Sequence, residues 1–82
     1  MSDKSFDFYP GMIIVYFEEN VSLEQAKEIC TSNGGTFLEY FDVLNGASVS
    51  VPNGAEEEFA RTFSGLPGVA DTELNYGWFA PL

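Results

Sequence analysis

The sequence predicts one α+β domain in which two helices cover one face of a four-stranded antiparallel sheet. Three observations lead to this prediction. Short β-branched and aromatic runs alternate with two segments of helical periodicity, a capping box precedes the first of these segments, and an Asn-Gly turn joins two of the runs. The resulting order is βαββαβ, the ferredoxin-like arrangement. A chain of 82 residues has room for one such domain.

The first strand is predicted over residues 12–17, a β-branched and aromatic run that follows a Pro-Gly pair. Ser22 stands three places before Gln25, as in a capping box, and apolar residues then recur at helical spacing until an Asn-Gly-Gly sequence. Cys30 belongs to this apolar set, so we expect it to be a small buried side chain rather than a reactive thiol.

The second and third strands are predicted over residues 36–43 and 47–51, and the Asn-Gly pair between them is a strong signal for a β-hairpin. In the third strand, apolar residues alternate with Ser48 and Ser50. One face of the sheet should therefore be buried and the other polar, so the helices are expected to cover only one side.

The second helix is predicted over residues 55–64, where Phe59 and Phe63 are four positions apart and a glycine follows. The acidic run at residues 56–58 falls in its first turn, where the helix dipole favours negative charge. We interpret this run as a solvated face without a functional role. A final strand is predicted over residues 69–75.

The charge of the chain restricts its partners. Thirteen acidic and three basic residues give a net charge of -10, which repels nucleic acid and anionic membranes. No apolar run approaches the length of a membrane span.

The lone cysteine and the start Met-Ser-Asp-Lys, which lacks the pattern of a signal peptide, predict a cytoplasmic protein. The free chain is expected to be a monomer.

Catalysis is poorly supported by the sequence. It contains no histidine, no cysteine paired with a base and no serine in a nucleophile elbow. Asp71 and Glu73 are interpreted as solvated acids on an exposed strand. The single cysteine and the lack of a calcium-loop motif give no metal site. We therefore expect a non-enzyme without a cofactor, a small acidic interaction module.

The last four residues have the properties of an extended ligand peptide. Pro81 fixes its own φ and biases Ala80 toward the extended region. Phe79 and Leu82 offer two large apolar side chains for two apolar pockets, while Ala80 needs little room. The alternative is an apolar terminus that folds back onto the domain or frays.

Five short stretches carry a resemblance to a known family, in order and with fitting gaps: residues 13–17, 21–22, 34–35, 43–47 and 66–69. Together they resemble the propeptide and inhibitor family of subtilisin-like serine proteases, including its free-standing fungal inhibitors. We accordingly expect an N-terminal segment at residues 1–11, an inhibitor-like domain at 12–76 and a protease-binding tail at 77–82.

The resemblance implies a partner and two contact regions. The partner is a subtilisin-like serine protease, and the open face of the sheet docks against two of its surface helices. Glu73 and Asn75 match the positions that cap the N-termini of those helices. The stretch from Glu73 to Leu82 is longer than in a typical prodomain, which leaves the register between the cap and the cleft open.

The tail then lies in the active-site cleft like a bound product. Leu82 would enter the primary specificity pocket and Phe79 the apolar pocket three residues upstream, while Pro81 stiffens the segment and Ala80 faces solvent. The implied function is inhibition of the protease, together with a role as folding chaperone. The alternative class is a non-catalytic ferredoxin-like binding module, either a small-ligand sensor or an acidic decoy of nucleic acid.

Overall fold

The structure is a computed structural model that describes residues 8–76. It contains four strands and two helices in the predicted order. Their bounds are β1 (Phe8–Phe17), α1 (Leu23–Ser32), β2 (Thr36–Phe41), β3 (Gly46–Ser50), α2 (Glu56–Ser64) and β4 (Val69–Tyr76). The predicted α+β class and βαββαβ order are confirmed.

The four strands form one antiparallel sheet in the order β2-β3-β1-β4. The two central strands, β1 and β3, place Ile13 opposite Val49 and Val15 opposite Ala47, and all four side chains are fully buried. These residues pack with residues of both helices in one hydrophobic core, whose members are Ile13, Val15, Phe17, Ala26, Cys30, Ala47, Val49, Val51, Phe63 and Val69. The core thus lies between the sheet and the two helices, as the alternation in β3 predicts.

Helix α1 begins at the predicted capping box. The Ser22 hydroxyl accepts a hydrogen bond from the Gln25 backbone N–H at 3.1 Å, and the Gln25 side chain accepts one from the Ser22 N–H at 2.9 Å. Two backbone N–H groups that lack intrahelical partners are satisfied in this way. Both bonds join residues only three apart, which is why the sequence alone reveals them.

The hairpin between β2 and β3 also follows its sequence signal. Asn45 has a φ of 56°, a left-handed conformation that asparagine tolerates better than most residues. Its side-chain amide donates to the backbone carbonyls of Phe17 and Glu18 at 2.9 and 3.1 Å, and its amide oxygen accepts from the Tyr40 hydroxyl at 2.9 Å. Asn45 therefore shapes the turn and also ties it to the end of β1.

Strand β1 is longer than the sequence indicates. It begins at Phe8 rather than at residue 12, and its pairing with β4 shifts in register between Phe8 and Ile13. Gly11 lies within this irregular part with a φ of 80°, and its carbonyl accepts from the Val51 N–H at 2.9 Å. The Pro-Gly pair marks an irregularity inside the strand rather than its start, because proline is tolerated where the ladder is already interrupted.

The other boundaries deviate by one or two residues. Strand β2 ends at residue 41 instead of 43, β3 spans 46–50 instead of 47–51, and β4 continues to 76 instead of 75. Helix α2 starts at residue 56, with Ala55 as its N-cap residue. The segment predicted as the end of β2 forms a turn instead. In this turn the Leu44 N–H donates to the Phe41 carbonyl, and the Asn45 N–H donates to the Asp42 carbonyl.

The interpretation of residues 56–58 as a solvated face is wrong for Glu56. Its side chain is only 3% exposed, whereas Glu57 and Glu58 are exposed. The two carboxylate oxygens of Glu56 accept backbone hydrogen bonds from Gly11 at 2.7 Å and Gly54 at 2.9 Å. We call this arrangement the Glu56 clasp, because it joins the start of α2 to the irregular part of β1.

Cys30 is fully buried in the core, which confirms the prediction of a small buried side chain. Burial raises the pKa of its thiol to about 11. The thiolate, which is the nucleophilic form, is therefore scarce at neutral pH. Within residues 8–76, no helix is long and apolar enough to cross a membrane.

Candidate docking surface

The sheet face that the helices leave uncovered is the candidate functional surface. We call it the open face and define it by two rows of residues that pair across the strands. One row runs through Glu39, Ser48, Ile14 and Glu73, and the other through Phe41, Gly46, Tyr16 and Asp71. These positions alternate with core residues along β1 and β3, so the two rows share the face opposite the helices.

The first row of the open face has an apolar and small-residue centre between two acidic ends. Ile14 is half-buried and Ser48 is only 6% exposed, because larger neighbours flank its short side chain. Glu39 and Glu73, which end the same cross-strand row on β2 and β4, are both exposed. A polar rim around a less polar centre is the usual composition of a surface that binds another protein.

Glu73 is held by a neighbour that the sequence does not single out. The Tyr16 hydroxyl donates to Glu73 Oε1 at 3.1 Å across the β1–β4 pair. The pKa of Tyr16 is raised, most strongly by burial and then by this hydrogen bond and by the negative charges of Glu73 and Asp71. Tyr16 consequently remains a protonated donor at neutral pH and restricts where the Glu73 carboxylate points.

Gly46 makes room for the tyrosine ring. A Cβ atom at position 46 would lie 2.9 Å from Tyr16 Cδ1, too close for an unshifted side chain. The glycine of the Asn-Gly turn thus has a second role, because it seats the ring whose hydroxyl reaches Glu73. The alternation of Ile13, Val15 and Phe17 was the available signal that Tyr16 points away from the core.

The other predicted site residues are described only in part. The backbone of Asn75 lies in β4, two residues after Glu73. The four predicted tail residues, Phe79, Ala80, Pro81 and Leu82, lie outside the described residues. Position 77 follows directly on Tyr76, which pairs with Phe8, so the tail is attached at the β4 end of the sheet where β1 begins.

The chemistry of the open face suits docking on another macromolecule. Carboxylates at Glu39, Asp71 and Glu73 can accept hydrogen bonds from backbone N–H groups, and they favour the positive end of a helix dipole. Within residues 8–76, no group of three or more histidine, cysteine, aspartate or glutamate side chains is arranged to hold a metal ion. The face is thus equipped to meet donor groups on another macromolecule.

Comparison with known proteins identifies a family whose pattern matches this chain. The sequence pattern of the fervidolysin N-terminal prodomain family matches residues 1–75. No curated protein matches the chain. The match covers nearly the whole sequence, including all six helices and strands except the last residue of β4. It supports the resemblance to subtilase propeptides, while the closer resemblance to free-standing fungal inhibitors stays a prediction.

Proposed function

We propose that this chain, which belongs to the fervidolysin N-terminal prodomain family, inhibits a subtilisin-like protease. The family is a non-catalytic propeptide type, and it implies such a protease as partner. The open face docks on the protease surface, and the tail at residues 77–82 occupies the active-site cleft. The observation that carries the proposal is the exposed acidic edge of β4, which leads directly into the tail.

The docking half of the proposal rests on Glu73. Its carboxylate is exposed but oriented by the Tyr16 hydroxyl, so little conformational freedom is lost when it accepts a further hydrogen bond. A helix N-terminus on the protease offers unpaired N–H groups and a positive dipole end. Glu73, and Asn75 two residues later, are proposed to meet two such helix ends.

The cleft half of the proposal rests on the tail sequence. Residues 79–82 add a strand to the edge of the cleft, with main-chain hydrogen bonds for affinity and pockets for Phe79 and Leu82 for selectivity. Docking of the domain over residues 12–76 holds the tail nearby and raises its effective concentration. A tethered tail can therefore inhibit where a free tetrapeptide would bind weakly.

We also propose that the domain assists folding of its protease. An open face that binds the native surface of the protease stabilises that state by mass action. The same interaction serves both inhibition and folding, whether the chain acts as a prodomain or, like the fungal inhibitors that it resembles, as a separate protein.

The test of the cleft contact is truncation of the tail. Removing residues 79–82 should abolish competitive inhibition of subtilisin while the circular dichroism spectrum and the melting temperature stay nearly unchanged. Trypsin is the control protease, because Leu82 offers no cation to its charged pocket, and it should be almost unaffected by the full chain. Full inhibition by the truncated chain, or equal inhibition of trypsin, would count against the proposal.

The test of the docking contact uses the two ends of one cross-strand row. Glu73→Gln should weaken inhibition about fivefold, since a charged partner of a helix dipole becomes neutral. Glu39→Gln makes the same chemical change at the opposite edge of the sheet and should alter inhibition by less than about twofold. Equal effects of the two variants would indicate a general charge effect and would overturn the role of Glu73.

A further inference from the structure

A groove lies apart from the open face, between α1 and the two loops at the end of the sheet. It has an open volume of about 740 Å³, within the usual range of ligand-binding clefts. Its apolar floor includes Val21, Ile29 and Pro67, and three carboxylates, those of Glu18, Glu24 and Glu28, line it as well. We call it the α1 groove.

The floor is formed by close contact between the loop before β4 and the apolar side of α1. Gly68 has a φ of 89°, and a Cβ atom there would lie 3.2 Å from both Ile29 Cδ1 and Val21 Cγ2. The backbone thus rests directly on these two side chains, which are themselves only partly buried. Apolar surface remains accessible beside the acidic rim.

The acidic rim is not neutralised within the described part of the chain. Glu24 and Glu28 are four residues apart on α1, a spacing at which like charges repel each other. The helix does carry Lys27, but its ammonium group lies 5.9 Å from the centre of the Phe37 ring of β2 and does not line the groove. No hydrogen bond or ion pair engages the carboxylates of Glu18, Glu24 or Glu28 within residues 8–76.

The two terminal segments are attached at the far end of the sheet. Phe17 pairs with Val69 beside the groove, whereas Phe8 pairs with Tyr76 at the other end. The α1 groove therefore lies at the end of the sheet away from both attachment points.

We propose that the α1 groove binds a peptide segment of a partner protein that carries arginine or lysine beside apolar residues. Long basic side chains lay their aliphatic stems along an apolar surface while the charged head stays at its rim. The apolar floor of Val21 and Ile29 can contact the aliphatic stem, and the carboxylates of Glu18, Glu24 and Glu28 can pair with the charged head. The site is separate from the open face, so it stays available when a protease is bound there.

The probe for the test is a short fluorescent peptide that alternates arginine with leucine, with binding followed by fluorescence anisotropy. The double variant E24Q/E28Q should bind it about tenfold more weakly than the parent, since two charge pairs are lost. The control E57Q/E58Q removes the same two charges from exposed positions on α2 and should bind within about twofold of the parent. Equal weakening in both variants would show diffuse attraction to an acidic protein and would overturn the proposal.

Matched peptides separate the two components of the site. Citrulline in place of arginine removes the charge at constant shape, and serine in place of leucine removes the apolar contact, so each should weaken binding. Amide chemical shifts should move at Val21, Ile29 and Gly68, and changes confined to the open face would contradict the assignment. Spermine that competes as well as the peptide would make the groove a polyamine site and overturn the peptide assignment.

Inhibition of subtilisin distinguishes this proposal from the proposed function. E24Q/E28Q should inhibit as well as the parent protein, because the groove does not belong to the open face. Loss of peptide binding with full inhibition supports two separate sites. A parallel loss of inhibition in E24Q/E28Q would place the groove within the protease contact and overturn its assignment to a second partner.

Discussion

The two helices of this domain begin in opposite ways. Helix α1 is capped by Ser22 and Gln25, which are three residues apart and exchange two hydrogen bonds at the surface. Helix α2 has Ala55 as its N-cap, which offers no side-chain hydrogen bond, and the adjacent Glu56 carboxylate instead accepts from Gly54 and from Gly11, 45 residues away. The cap of α1 is formed by neighbouring residues, whereas the hydrogen bonds at the start of α2 form only when β1 and α2 come together.

This difference determines what each start contributes. A capping box stabilises its own helix, and part of its benefit is already available in the unfolded chain. The Glu56 clasp requires the assembled domain, since its most distant donor belongs to another element. The clasp therefore favours the complete fold over partly folded states, and the capping box favours the helix alone.

The largest effect is expected for Glu56→Ala, which removes a buried side chain and, with it, the acceptor of the hydrogen bonds from the half-buried Gly11 and the exposed Gly54. Unfolding in urea, followed by circular dichroism, should show a greater loss of stability than removal of the α1 cap. Glu57→Ala is the control, because Glu57 is an exposed neighbour in the same turn. Equal urea midpoints for the two variants would mean that the clasp contributes nothing.

The pH dependence of stability sharpens the contrast. Hydrogen bonds from the backbone of Gly11, of Glu56 itself and of Gly54 lower the pKa of the Glu56 carboxyl, while burial opposes them. The pKa of Glu56 is lower in the folded state than in the unfolded state. The carboxylate therefore stabilises the fold above the ordinary glutamate pKa of about 4.3, and this stabilisation is lost as the pH falls through the pKa of the folded state.

Glu56→Gln should accordingly differ from the parent at neutral pH and converge with it in acid. Melting temperatures of both proteins from about pH 7 to about pH 2.5 give the comparison. A constant difference over this range would show that the charge of Glu56 is irrelevant and that the loss of one acceptor oxygen in glutamine causes the difference. Glu57→Gln, made in the same helix turn, serves as the matched control for loss of one negative charge.

The smallest losses of stability are expected for substitutions in the capping box of α1. Ser22→Ala should cost about 1 kcal/mol of stability, the typical cost of losing an N-cap, and Gln25→Ala about 0.5 kcal/mol. Ser22→Asp should restore most of the loss, since aspartate is an equally good N-cap residue. Urea midpoints of the three variants measure these differences, and a loss at Ser22 larger than at Glu56 would reverse the comparison.

The same distinction explains how much of the fold could be predicted. The capping box, the Asn45 turn and the alternation of core residues along β3 all act over a few residues, and each is seen in the structure. The start of β1 at Phe8 was missed, because Gly11 continues the strand through contacts with Val51 and Glu56. Contacts of that range leave no periodic pattern in the sequence.

The candidate site shows a similar division. The resemblance selected Glu73, and the structure adds its Tyr16 partner, 57 residues away in the chain. Neither residue type indicates this contact, which arises from the β1–β4 register and from the space left by Gly46. The predicted roles of Asn75 and of residues 79–82 depend on a protease surface, which no pattern within this chain encodes.

Chemical labelling of the buried Cys30 can measure how readily the domain opens. A thiol reagent can modify the side chain only in molecules whose α1 has separated from the sheet, because the closed state excludes the reagent and keeps the sulfur protonated. The labelling rate at this position thus reports opening of the domain without any substitution in the chain. In a complex with a protease, slower labelling would report directly how far binding at the open face suppresses motion on the opposite, helical side.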